Sequence, residues 1–109
     1  MSLRNVMLLQ EIALQKLERD LEREAHGSLA AHAADVRAFA VHEAFDVYVA
    51  RPDVQPRAAL FSTFRDTYSK AVEGLSAAAE GGDPAAVRAA ALKLRTRCDA
   101  CHATFRPGI

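Results

Sequence analysis

The sequence predicts an all-α protein, an antiparallel up-down-up-down four-helix bundle. Apolar residues recur at helical spacing along the whole chain, and no segment alternates convincingly as a strand. Breaks fall at three places, H-G-S (26–28), R-P-D-V-Q-P (51–56) and G-G-D-P (81–84). The four segments between them are of similar length, and short turns between helices make sequential neighbours antiparallel. At 109 residues the chain is read as one domain spanning 1–109.

The first helix is expected over about 3–25. Leu3, Val6, Met7, Ala13, Leu14, Leu17 and Leu21 form its inward stripe, while Leu8, Leu9 and Ile12 fall on other faces. The second is expected over about 29–50, with Ser28 as its N-cap. It is apolar more than halfway round, with Val36, Phe39, Ala40 and Val47 on one side and Val41, Phe45, Tyr48 and Val49 on another. One bundle core cannot use all of these faces, so helices one and two are expected to meet a further partner.

The third helix, about 56–80, is the cleanest amphipath. Leu60, Phe61, Phe64, Tyr68, Ala71, Val72, Leu75, Ala78 and Ala79 share one stripe, and the Gly81-Gly82 pair ends it. The fourth, about 84–106, starts with Asp83 as cap and Pro84 at the first helical position.

Composition excludes several classes of function. Fourteen basic residues balance 14 acidic ones, and a nucleic-acid binder would show a basic excess. No apolar run is long enough to cross a bilayer. The opening M-S-L-R passes straight into a helical pattern without a secretory signal. The chain is thus either a cytosolic product or a mature segment whose leader has been removed and Met-Ser-Leu added.

Chemistry concentrates in C-D-A-C-H, residues 98–102, which contains both cysteines of the chain. Cys98, Cys101 and His102 stand at i, i+3 and i+4, so they share a helix face with Val87, Ala90, Leu94 and Phe105 and are expected to point into the bundle. C-x-x-C-H is the attachment pattern of c-type haem. Two thioethers anchor the porphyrin, and the adjacent imidazole stands beneath the iron as proximal ligand. Zinc would want more ligands than two cysteines supply, and a thioredoxin-like dithiol belongs to a βαβ setting. The competing reading is a haem-free helical interaction module with a redox-active or structural cysteine pair. His26 lies in a turn, and His32 and His42 lie among alanines; all three read as solvated or satisfied side chains. No catalytic triad, carboxylate pair or phosphate-binding loop competes, so the chain reads as a non-enzyme.

The run L-S-A-A-A-E-G-G-D-P-A-A-V-R-A-A followed by C-D-A-C-H-A-T-F-R resembles the class II c-type cytochromes, cytochrome c prime and its low-spin relatives. The specific match covers the last two helices and the pattern Cys98, Cys101, His102, Phe105, Arg106. The resemblance implies covalent haem c used for electron transfer to a redox partner or for binding nitric oxide and carbon monoxide. It also implies a periplasmic location, hence a removed leader, and a homodimer through helices one and two. It further places Arg106 beside the proximal His102, where it would influence the basicity of the imidazole.

In an antiparallel bundle the residue opposite His102 belongs to the first two turns of helix one. Met7 is there, on the inward stripe. The family carries a basic residue a turn earlier, a role Arg4 fills, near a haem propionate. Counting four from Arg4 gives Leu8, whereas the stripe gives Met7, about 100° away round the helix. A methionine there either ligates the iron or fills a gap in the core.

Overall fold

The computed structural model describes residues 1–105 and contains five α-helices forming four rods. They are α1 (Leu3–Glu22), α2 (Leu29–Ala40), α3 (Ala44–Val49), α4 (Ala58–Gly81) and α5 (Pro84–Thr104), with 3-10 turns at His26–Ser28 and Gln55–Arg57. The bundle measures 45 × 23 × 19 Å. Helix α4 packs along α5 and α2, and α1 along α2, so the second rod stands between the first and third.

Local signals account for most of the boundaries. The Ser2 side chain accepts the Asn5 N–H at the start of α1, and Asp83 accepts the Ala85 N–H at the start of α5. Gly82 closes α4 with φ +75°, a left-handed conformation that glycine adopts without a Cβ clash. Ser28 makes no side-chain cap bond; the preceding 3-10 turn leads directly into α2.

The second rod is not the continuous helix expected over 29–50. It breaks at residues 41–43, where His42 Nδ1 accepts the Ala44 N–H at 3.0 Å and a new helix starts. This short-range bond offers the backbone an alternative to the helical ladder. The break shifts the helical phase of residues 44–49. Phe45 and Tyr48 turn into the core, whereas Val47, expected on the same side as Val36 and Ala40, is 69% exposed. Leu60, expected on the stripe of α4, is also exposed.

The core runs the length of the bundle, through Leu14, Leu17, Val36, Val72, Leu75, Val87 and Leu94. Burying one such side chain contributes about 1.5–3 kcal/mol. At the end where α5 finishes, aromatic rings replace the aliphatics. Phe105 meets Phe61 and Phe64 edge-on at 5.3 and 6.1 Å, and Phe45 stacks on Tyr68 at 5.8 Å.

Candidate functional site

The last two turns of α5 carry Cys98, Cys101 and His102 to this aromatic end. Both cysteines are half-buried free thiols, while His102 is exposed at the rim, less inward than the shared-face argument predicts. The terminal turn is fixed from two sides. Phe105 N–H donates to the Cys101 carbonyl at 2.7 Å, and Arg57 donates to the Thr104 carbonyl at 3.3 Å. The Arg57 guanidinium also lies over the Phe105 ring, 4.4 Å from its centroid. Phe105 is buried and forms the floor behind the site; Arg106 lies outside the described residues.

A small apolar cavity opens in front of the thiols, walled by Leu3, Met7, Phe45, Phe61, Arg65, Tyr68, Cys98, Cys101 and His102. Beside it, a cleft runs between α1 and α5, lined by Gln10, Glu11, Leu14, Leu94, Arg95 and Asp99. Met7, Cys98 and His102 belong to both spaces. Leu3 and Met7 of α1 thus share the cavity wall with the cysteine motif, whereas Leu8 is 53% exposed on another face. Arg4 is exposed in the first turn of α1 and does not line either space.

Electrostatics keep the thiols neutral. Burial pushes Cys98 up to about 11, against a smaller lowering by the nearby Arg95, and burial likewise raises Cys101. Arg95 is held by two carboxylates of α1, donating to Glu11 at 2.7 Å and to Glu18. These bonds raise its own pKa, Glu18 contributing most, and tie α5 to α1 beside the site.

Two polar features escaped the reading of the sequence. Gln10 is only 4% exposed, inside an otherwise apolar stripe between Met7 and Leu14. Its Nε2 donates to the Val36 carbonyl at 3.0 Å and to the Tyr68 hydroxyl, linking α1, α2 and α4. The available signal was a single amide at a core position. Glu11 and Glu18, two turns apart on one helix, were the corresponding signal for a cation on a facing element.

The donor set suits an organic group carrying its own metal better than a bare ion. No cluster of three or more His, Cys, Asp or Glu among the described residues could hold a metal ion. Two neutral thiols one turn apart, on an apolar wall with an imidazole at its rim, can anchor a flat apolar group covalently. The imidazole then contributes one metal ligand and leaves the remaining ligands to the group itself.

Comparison with known proteins agrees with this chemistry. No curated protein matches the chain. Among solved structures, cytochrome c' from Thermochromatium tepidum superposes with a TM-score of 0.84 at 21% identity, over 95% of this chain and 90% of that one. A carbon-monoxide-bound variant of cytochrome c' from Alcaligenes xylosoxidans gives 0.84 at 20% identity, over 96% of this chain and 90% of that one. A ferrous variant from the same organism with bound NO gives 0.84 at 20% identity, over 98% and 91%. At such identities these likenesses establish the four-helix-bundle fold alone. The family model described as Cytochrome C' matches residues 9–106, almost the whole chain and the entire cysteine motif, and the chain belongs to that family.

Proposed function

We propose that this protein binds small diatomic gases, such as nitric oxide and carbon monoxide, at a haem held by Cys98, Cys101 and His102. Covalent haem c is the cofactor of the family. The observation that carries the reading is one apolar cavity with both thiols on one wall and Met7 on another. When bound, haem c supplies an iron that takes a diatomic ligand and changes oxidation state.

The protein's own residues account for the rest. Cys98 and Cys101 fix the group through thioethers, so a bundle rich in alanine needs no deep pocket. His102 donates an imidazole nitrogen to the metal. Phe105, wedged against Phe61 and Phe64 and covered by Arg57, holds the terminal turn in place. Leu3, Met7 and Phe61 exclude water, which favours small uncharged ligands over anions.

A second reading, electron transfer, is supported by Met7. A thioether facing the motif is a ligand type that raises the reduction potential of haem iron. The cytochrome c' family is periplasmic, where haem attachment of this type takes place, and we propose the same location for this protein. None of the helices described is long and apolar enough to cross a membrane.

The homodimer is proposed to form on α1. Leu8, Leu9 and Ile12 are 53, 37 and 45% exposed and lie together on its outer side. Val41 adds to the apolar surface at the break of the second rod, but Phe45 and Tyr48, expected to contribute, belong to the protein's own core.

The decisive test is protein exported with the haem-attachment machinery and examined by intact mass after denaturation and by pyridine haemochrome spectrum. Covalent haem on the C-x-x-C-H peptide is expected. Two free thiols in that preparation would refute the reading and favour a haem-free helical module.

A further inference from the structure

The Gln10–Tyr68 pair imposes a definite arrangement of hydrogens. A carbonyl only accepts, so the group of Gln10 facing the Val36 oxygen at 3.0 Å has to be the NH₂. That same nitrogen faces the Tyr68 hydroxyl, which therefore accepts the second amide hydrogen. The phenol keeps its own hydrogen, and no acceptor for it stands among the described residues. Tyr68 is 5% exposed and walls the cavity, where this hydrogen is available to a ligand.

Of the other polar groups on the cavity wall, none is fixed by a buried amide as the Tyr68 phenol is. Arg65 is turned to Asp46 at 2.8 Å and lies over the Phe45 ring at 4.9 Å. Cys98 and Cys101 lose their thiol hydrogens on forming thioethers, and His102 serves the metal. Leu3, Met7, Phe45 and Phe61 carry no side-chain O–H or N–H.

We infer that Tyr68 is a specificity-determining residue of the gas site, donating its phenol hydrogen to a diatomic ligand whose outer atom carries negative charge. The inference rests on the gas-binding reading and refines it, for an apolar cavity alone would select by size. Gln10 is the positioning residue, since its amide hydrogen occupies the phenol oxygen and leaves only the donor free. A ligand that accepts well, such as nitric oxide, gains this hydrogen bond, whereas carbon monoxide, a poor acceptor, gains little. A neutral hydrogen bond is worth about 0.5–1.5 kcal/mol, roughly a twofold to tenfold preference.

The test compares haem-loaded wild-type protein with Tyr68→Phe, which removes the hydroxyl and keeps the ring. The ratio of nitric oxide to carbon monoxide affinity should fall about twofold to tenfold in the variant. The bound CO stretching band should move to higher wavenumber. A readout that needs no binding constant is the Raman doublet of Tyr68, taken as wild type minus variant. It should report an acceptor-only phenol in the ligand-free protein and shift toward a donor on addition of NO. Should both gases bind while affinity ratio, stretch and doublet all stay unchanged, the role of Tyr68 is refuted and the gas-binding reading stands. Haem-loaded wild type that takes up neither gas would overturn both.

Discussion

Burial of Cys98 has a measurable chemical consequence in chain made without haem attachment, where both sulfurs are free thiols. Its pKa stands at about 11 against an ordinary 9.0, chiefly because burial disfavours the thiolate. Two pKa units reduce the thiolate population about 100-fold below pH 9. The more basic sulfur is intrinsically the better nucleophile, which returns roughly six- to tenfold. Alkylation of Cys98 by iodoacetamide at pH 8 should thus run about ten- to fifteenfold slower than in the urea-unfolded chain, with steric shielding slowing it further. Peptide mass spectrometry of quenched samples would follow the rate, which should keep rising with pH to about 11. The linkage has a definite sign. A thiol whose folded pKa is raised contributes stability below the unfolded pKa of about 9, and that stability is lost as pH climbs toward 11. The loss amounts to about 2–3 kcal/mol and should be absent in Cys98→Ala. A Cys98 rate that levels off near pH 9 and equals the unfolded rate would refute the argument that burial on the cavity wall governs this sulfur.

Met7→Ala should open the cavity and speed carbon monoxide uptake by the haem-loaded protein, as read by flash photolysis, while Leu8→Ala leaves the rate unchanged because Leu8 is 53% exposed. Arg95→Met should cost about 1–2 kcal/mol in urea unfolding, since partly exposed ion pairs contribute modestly, and the difference should shrink in 1 M salt. Light scattering at micromolar concentration should give the mass of a dimer, and Ile12→Lys, placing charge at a 45% exposed position, should give a monomer. Gly82→Ala should lower stability by about 1 kcal/mol or more in thermal unfolding, because φ is +75° there.

The legible parts of the molecule were those governed by local chemistry. Asp83-Pro84 and Gly81-Gly82 marked their helix boundaries because cap hydrogen bonds and left-handed φ are decided within a few residues. The stripe of α1 was legible for the same reason, and it set Met7 and Leu8 on different faces. The break at residues 41–43 was not legible. It rests on one ring nitrogen of His42 accepting a backbone N–H, in a segment whose apolar pattern continues without interruption. One missed break then misassigned Val47 and the two aromatic residues around it, since a shift of phase moves every later side chain. Partners across the bundle were hidden as well. Gln10 and Tyr68 are 58 positions apart, and neither carries a mark of the other.

The fixing of α5 against α1 bears on the order of events in the life of the chain. Helix α5 packs chiefly on its neighbour α4, but Arg95 meets Glu18 and Glu11 across 77 and 84 residues, so these ion pairs close nearly the whole sequence into a loop. During synthesis or export from the N-terminus, the first three rods emerge while the cysteine motif is still to come. Once α5 has docked, Cys98 and Cys101 are half-buried and protonated, poorly placed to meet an attachment enzyme. The interval between emergence of the C-terminus and closure of that loop is therefore the natural opportunity for modification. A chain that seals its final helix too early would forfeit its cofactor.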